Sequence, residues 1–167
     1  MADSSGGYYP PVGFYFVVAF SGGSSKQDNA FNEVSGLKVD TDTTTIKEGG
    51  ENRFEYKVPV RHKHDNLVLK RGLMLADSPI GTWCFESLTG SFEKKIEPRR
   101  IFISLLNPSR KPLMMWTFEN VWPVKWELSN LNAQDNKIAV ETLEFAYSYF
   151  SVKHIIKTGK EGLFAPD

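Results

Sequence analysis

The chain has 167 residues, 41% of them hydrophobic and 13% aromatic, and its 20 basic residues are balanced by 20 acidic ones. This length fits a single domain, residues 1–167, with a substantial apolar core. A formal net charge of zero provides no overall field to recruit nucleic acid or an anionic membrane, and it favours self-association over repulsion. The single cysteine excludes an internal disulfide framework, and its apolar neighbours predict that Cys84 is a buried side chain instead of a reactive thiol.

The two ends of the chain differ in composition from the middle. Residues 1–11 are rich in Gly, Ser and Pro and predict a loose arm, residues 12–150 predict the folded core, and residues 151–167 predict a C-terminal extension. The first residues lack the basic and apolar regions of a signal peptide, and no apolar run approaches the roughly 20 residues of a membrane span. We therefore expect a protein that folds in the cytoplasm.

The first half of the core reads as strands. Residues 12–20 are almost continuously apolar, which predicts a strand buried on both faces. Residues 31–39 predict a second strand with a bulge at Ser35-Gly36, and residues 66–73 predict a third.

Between the second and third of these strands, residues 37–60 predict a long hairpin around the turn Gly49-Gly50. Period-two alternation on both arms predicts one apolar and threonine-rich face and one charged face. Arms of about ten residues at about 3.3 Å each would reach roughly 30 Å, so the outer part should project. An exposed edge of that length favours a covering partner.

A short helix and a turn-separated group of strands follow. Ser78 as N-cap, Pro79 in the first turn and Gly90 after the last turn predict one helix. Residues 101–106 predict a strand that ends in the turn Asn107–Arg110.

Residues 111–150 are the most strongly patterned stretch. Leu113–Phe118 and the segment VWPVKWEL predict two strands separated only by Glu119-Asn120. Pro123 cannot donate a ladder hydrogen bond, which predicts an edge strand, a bulge or a strand start. A last strand begins at Ile138, and its apolar parity shifts after Val140, which predicts a bulge or bend. The fold class is therefore mainly β, a small barrel or sandwich with one short flanking helix.

None of the candidate chemical groups forms a convincing catalytic, cofactor or metal site. His62 and His64 could ligate a metal only with a third ligand, so a solvated turn is favoured. Gly49-Gly50 lacks the strand-to-helix context of a phosphate loop. The basic residues of 94–100 are interleaved with Glu97, which favours a solvated loop over a phosphate site. They are Lys94, Lys95, Arg99 and Arg100.

The carboxylates and three of the tryptophans likewise favour structural positions. Asp40, Asp42 and Glu55 alternate with basic residues, and a paired catalytic carboxylate would need an apolar pocket to raise its pKa. Three tryptophans could stack bases or sugars, but in strands this apolar they favour core or interface positions. They are Trp116, Trp122 and Trp126. No enzyme is predicted.

Three motifs in this order resemble a known family. EVSGL is followed by an EGG turn, LKRG follows a later turn, and N-x-WPVKW precedes IAVETLE. Over residues 8–150 the sequence resembles the tail-tube (inner tube) proteins of contractile phage tails and of phage-tail-like extracellular contractile injection systems.

The resemblance implies an assembly. Six copies would form a ring, and rings would stack into a hollow tube inside a contractile sheath, with strands of every copy joined in one barrel around the lumen. The partners would be other copies, the sheath protein, baseplate and tube-terminating proteins, and cargo in the lumen, with no cofactor, membrane span or sequence-specific nucleic acid. The tube would be a rigid needle assembled in the bacterial cytoplasm, in a particle that is then released or associated with the cell envelope.

The resemblance also assigns roles to the hairpin. Its apolar face would pack on the body of the subunit, and six charged residues would line the lumen as a nearly neutral wall. They are Lys38, Asp40, Asp42, Arg53, Glu55 and Lys57. The hairpin tip would contact other subunits or rings. It comprises Lys47, Glu48, Gly49, Gly50, Glu51 and Asn52.

Two other functions remain open from the sequence. One is a hexameric ring protein of the type VI secretion class, which shares the barrel but should lack the WPVKW and IAVETLE pattern. The other is a monomeric β-barrel that binds a small ligand. Phage or injection-system origin, and a place along the tube or at its base, are equally open.

Overall fold

The computed structural model describes residues 15–22, 30–46, 54–73, 78–90, 95–131 and 138–155. The predicted arm 1–11, the hairpin tip 47–52 and Arg53 lie outside the described residues. The described part contains the following elements in chain order: β1 (Phe16–Phe20), β2 (Glu33–Ser35), β3 (Val39–Ile46), β4 (Tyr56–His64), β5 (Leu67–Gly72), α1 (Pro79–Thr89), β6 (Arg99–Leu106), β7 (Pro112–Leu128), β8 (Val140–Ala146) and β9 (Tyr149–His154).

The 17-residue strand β7 belongs to two antiparallel sheets. Its first half lies between β6 and β9, and β1 completes that sheet beyond β6. Its second half pairs with β8, and β5 and β2 complete the second sheet. The strands β3 and β4 form a separate two-stranded sheet, which is the predicted hairpin.

Apolar side chains from both sheets and from α1 meet in one core. The rings of Phe20 and Phe145 lie 6.0 Å apart between the two sheets, and Trp83 of α1 stacks on Phe145 at 5.9 Å. The mainly β fold with one short helix is therefore confirmed. Closure into a barrel is not observed: in the part of the chain that the structure describes, β1, β2 and β9 each pair on one side only.

The helix α1 begins and ends where the sequence predicts. The Ser78 hydroxyl accepts a hydrogen bond from the Gly81 N–H at 3.0 Å, and Pro79 occupies the first turn. The Gly90 N–H donates to the Glu86 carbonyl at 2.9 Å, but Gly90 has an extended backbone instead of the left-handed one typical of a terminal glycine. The helix buries Ile80, Trp83 and Cys84.

The two strands predicted within residues 111–128 are one strand, and that prediction is wrong. At Asn120 the backbone takes φ +54 and the strand continues, since asparagine adopts left-handed conformations more readily than most residues. The register against β8 shifts between Pro123 and Lys125. Pro123 therefore lies at a bulge, one of the three predicted alternatives.

The bulge predicted in the last strand after Val140 is absent from β8. Its register with β5 is regular, and alternate side chains, including Glu141 and Leu143, are buried. The apparent parity shift has a different cause, because the buried Glu141 interrupts the apolar pattern. The strand β9 pairs with β7, so residues 151–154 of the expected C-terminal extension form part of a sheet.

The second strand is shorter than predicted, and Gly36 ends it instead of forming a bulge. Gly36 has φ +86, and a Cβ there would lie 2.0 Å from the Asn66 carbonyl oxygen. Only glycine fits this close approach in a left-handed conformation. The backbone leaves the second sheet here and enters the hairpin.

Candidate functional site

The hairpin β3–β4 projects as predicted, with arms of eight and nine residues. Arms of this length reach about 26–30 Å at about 3.3 Å per residue. Its residues are exposed except for the half-buried Asp42, and apolar side chains are no exception: Val39 is 53% and Val60 62% exposed. The prediction that an apolar face of the hairpin packs on the subunit body is therefore wrong.

A bulge on β4 divides the hairpin into two halves. Asp42 pairs with Arg61 and Thr43 with Pro59, so Val60 is an extra residue. Partners in an antiparallel pair share a face, and one extra residue reverses the side-chain parity of its strand. Beyond the bulge, each β4 side chain therefore lies on the face opposite to the one that simple alternation predicts.

The register defines two faces that differ from the predicted ones. The threonine face carries Val39, Thr41, Thr43, Thr45, Lys57, Pro59, His62 and His64, and alternation adds Glu55. The mixed face carries Asp40, Asp42, Thr44, Ile46, Tyr56, Val58, Arg61 and Lys63. The prediction of one common charged face is wrong, because Asp40 and Asp42 lie on one face and Lys57 on the other. A sequence pattern cannot reveal this, since Val60 looks like any other strand residue.

The half of the mixed face near the body carries charges that neutralise each other. Asp42 accepts from Arg61 at 3.1 Å and from Lys63 at 2.8 Å, and Lys38 lies 2.5 Å from Asp40 and 4.0 Å from Asp65. Hydrogen bonds from Lys63 and Arg61 lower the pKa of Asp42, and the hydrogen bond to Asp40 raises the pKa of Lys38. Solvent screens these pairs, so they leave little net field.

The outer half of the mixed face is apolar, and we call it the distal apolar patch. It comprises Ile46, Phe54, Tyr56 and Val58, which are 50%, 51%, 48% and 38% exposed. The rings of Phe54 and Tyr56 meet edge to face at 5.1 Å. Four large apolar side chains that are exposed side by side form a contiguous patch, and contiguous exposed apolar patches are candidates for contact surfaces.

The histidines at the hairpin base have separate partners. His62 Nδ1 lies 3.0 Å from Thr41 Oγ1, and His64 Nε2 lies 3.1 Å from the Ser148 carbonyl oxygen. The predicted solvated turn at this position is wrong, because β4 continues to His64. Among the described residues, no group of His, Cys, Asp and Glu side chains could hold a metal ion.

A buried polar network lies beneath the second sheet and was not predicted. Arg71 of β5 is 1% exposed and Glu141 of β8 7%, and Arg71 Nε donates to Glu141 Oε2 at 2.5 Å. Arg71 Nη2 donates to Ser78 Oγ at 3.1 Å, and Trp126 Nε1 donates to Glu141 Oε1 at 2.7 Å. The guanidinium also lies 5.3 Å from the ring of Phe31. The network links β5, β7 and β8 to the start of α1, and the interrupted parity at Glu141 was its one sequence signal.

The other candidate residues are dispersed. Cys84 is buried as predicted, and burial raises the pKa of its thiol to about 12. Arg99 lies over the ring of Trp83 at 4.8 Å, while Arg100 pairs with Glu119 at 2.7 Å, so these two basic residues have different partners. Lys94 lies outside the described residues.

The three tryptophans occupy core and surface positions. Trp116 packs against the core, whereas Trp122 and Trp126 are 40% and 41% exposed. The described residues contain no helix that is long and apolar enough to cross a membrane.

Solved structures contain similar chains. One, in the cryo-EM structure of the anti-feeding prophage (AFP) baseplate, 6-fold symmetrised, is 29% identical with a TM-score of 0.77 and covers 89% of this chain and 98% of its own. One in the extended sheath–tube complex of PVC, an extracellular contractile injection system, is 23% identical with a TM-score of 0.75 and covers 93% and 100%. A type six secretion system protein, 11% identical with a TM-score of 0.54 over 84% and 83%, shares the fold alone.

The sequence itself places the chain in a family. No curated protein matches it at a significant level. The family described as T4-like virus tail tube protein gp19 matches residues 12–151. This match includes the hairpin, the helix and every strand of both sheets except the end of β9, and it confirms the resemblance read from the motifs. The chain therefore belongs to the T4-like virus tail tube protein family.

Proposed function

We propose that this protein is the repeating subunit of the hollow inner tube of a contractile, phage-tail-like injection system. Six copies close into a ring, and rings stack inside a sheath. Similarity to chains solved in a 6-fold symmetrised baseplate and in a sheath–tube complex supports this reading. The protein acts structurally, and no step in this role requires a cofactor, a metal or catalysis.

The observation that carries the proposal is the set of unsatisfied strand edges. β1, β2 and β9 each have a neighbour on one side only in the described residues, and β3–β4 forms a sheet of its own. Exposed edges present unpaired N–H and C=O groups, and a ring of copies removes them. Pairing between copies joins the strands into a continuous wall around the lumen.

The hairpin contributes part of that wall with one face. From Thr41 to Thr45 the threonine face is polar except for Pro59, whereas the outer half of the mixed face is apolar except for Thr44. We therefore assign the threonine face to the lumen, and with it Glu55 and Lys57. Lys38, Asp40 and Asp42 belong to the mixed face, so this assignment places them away from the lumen. Arg53 remains a predicted lumen residue.

The lumen wall so defined carries charges of both signs, which suits the passage of cargo without trapping either sign. The further partners are the sheath, the baseplate and a tube terminator. Similarity to chains solved in structures of a tube-terminating cap and a sheath/tube terminator supports the last of these. The particle assembles in the bacterial cytoplasm before it is released or held at the cell envelope.

Electron microscopy of the purified protein, combined with light scattering, tests the proposal. We expect six-fold rings or tubes. A species of 18.9 kDa that stays monomeric at high concentration would refute the assembly and favour a monomeric ligand-binding barrel. Rings that never stack would favour a ring protein of the type VI class.

Deletion of residues 47–52 tests the hairpin tip. We expect rings without stacking and a soluble fold, because Ile46 and Phe54, the described residues on either side of the tip, are both exposed. Tubes of normal length would show that the tip makes no contact needed for stacking. An equal-length replacement of these residues by Gly and Ser separates loss of the side chains from loss of reach.

A further inference from the structure

The bulge at Val60 gives the hairpin two chemically different outer surfaces. Without the extra residue, Lys57 would lie on the same face as Asp40 and Asp42, and the apolar residues of the outer half would be divided. With it, Ile46, Tyr56 and Val58 share one face with Thr44, and Thr43, Thr45 and Lys57 share the other with Pro59. The bulge therefore separates an apolar surface from a polar one in the part of the hairpin farthest from the body.

We propose that the distal apolar patch is buried against a second copy of this chain, while the threonine face stays open to solvent within the assembly. This inference rests on the proposed tube and adds which face of the hairpin makes the contact. A two-stranded hairpin is marginally stable in water by itself. Burial of one face supplies the packing that the hairpin lacks within its own subunit.

Charge restricts the kind of partner. The charged groups near the patch are three basic residues, Lys38, Arg61 and Lys63, and three acidic ones, Asp40, Asp42 and Asp65. Each has an opposite charge within 4.0 Å, so the partner need supply no compensating charge. A second copy fits this requirement, since the chain has no net charge and its open strand β9 exposes Tyr149 and Val152. Every copy thus carries both an apolar projection and open apolar edges, which allows a repeating head-to-tail contact.

Two variants, each with one added cysteine, test the assignment. Ile46→Cys places a thiol on the patch, and Thr45→Cys places one on the adjacent residue of the opposite face. The native Cys84 is buried, and its thiol pKa of about 12 keeps it protonated at pH 7.5, so the background reaction with a maleimide probe is small. Each variant is co-assembled as about one part in ten with wild-type protein, and labelling rates are compared in free and assembled fractions.

We expect at least a tenfold slower reaction of Ile46→Cys after assembly and less than a twofold change for Thr45→Cys. Exclusion of Ile46→Cys alone from the assemblies would also support the contact. Equal reactivity, equal protection or the reverse order would overturn the inference. The pair Tyr56→Cys and Lys57→Cys repeats the comparison on β4. Failure of the wild-type protein to assemble would instead refute the proposed function, so the two failures are distinct.

Discussion

Replacement of Glu141 by glutamine removes the negative charge that faces the buried guanidinium of Arg71. The two side chains are 7% and 1% exposed, so water cannot replace the lost carboxylate. Removal of one partner from a buried ion pair costs about 3–5 kcal/mol. Glutamine keeps an acceptor for Arg71 or Trp126, so we expect about 3 kcal/mol, at the lower end.

Urea unfolding, followed by circular dichroism at a concentration where the protein is monomeric, measures this loss. With a slope of about 2 kcal/mol per molar urea, the midpoint should fall by about 1.5 M. The matched control is Glu33→Gln, whose partner Lys70 lies 2.8 Å away but whose side chains are 53% and 39% exposed. That exposed pair should contribute less than about 1 kcal/mol.

The double variant Arg71→Met with Glu141→Met separates pairing from burial. It removes both charges and keeps apolar volume, so it should be more stable than Glu141→Gln alone. A loss for Glu141→Gln no larger than that for Glu33→Gln would refute the reasoning. If the losses of Arg71→Met and Glu141→Met, measured singly, add up to the loss of the double variant, Arg71 and Glu141 do not act as a pair.

Three further predictions concern the backbone, the helix cap and the buried thiol. Gly36→Ala should cost at least about 3 kcal/mol of unfolding free energy, because the new Cβ meets the Asn66 carbonyl in a left-handed backbone. The control Gly22→Ala, also at positive φ but with no atom nearer than 3.9 Å, should cost about 1–2 kcal/mol. Comparable losses for the two variants in urea unfolding would contradict this. Ser78→Ala should cost about 1–2 kcal/mol of unfolding free energy, since it removes the helix cap and an acceptor of Arg71. Ser78→Thr should retain most of the stability. An alanine variant as stable as the wild type would show that the cap is dispensable. For Cys84, burial raises the pKa of the thiol from 9.0 to about 12 in the folded protein. Above pH 9 the unfolded chain loses the thiol proton while the folded protein keeps it, so the free energy of unfolding falls by about 1.4 kcal/mol per pH unit. Cys84→Ala should lack this part of the pH dependence, and identical slopes for the two proteins would refute the prediction.

Local rules predicted the parts of the fold that local chemistry determines. Ser78, Pro79 and Gly90 act within one helical turn of the helix ends, so the bounds of α1 could be read directly from the sequence. The strands within residues 66–73 and 101–106 could also be predicted, because their own alternating apolar residues determine which side chains are buried.

The errors arose where a distant partner decides the structure. Asn120 looks like a turn residue and has a left-handed backbone, but β7 continues on both sides of it because Phe118 and Val121 both pair with β6. Glu141 looks like a misplaced outward residue, but Arg71, which is 70 positions away, stabilises it in the interior. The extra residue Val60 reverses the outer part of β4, and only the pairing with β3 reveals it. The hairpin was therefore predicted in location, but the assignment of residues to its two faces was not.

The shared strand β7 has a mechanical consequence. Its 17 residues run without a break from one sheet into the other, with Asn120 at the passage. A shear force that moved the two sheets past each other would have to stretch this covalent backbone or break ladder hydrogen bonds on several strands at once. A force that displaces one sheet relative to the other is therefore carried by main-chain bonds within the subunit and not only by side-chain contacts between the sheets.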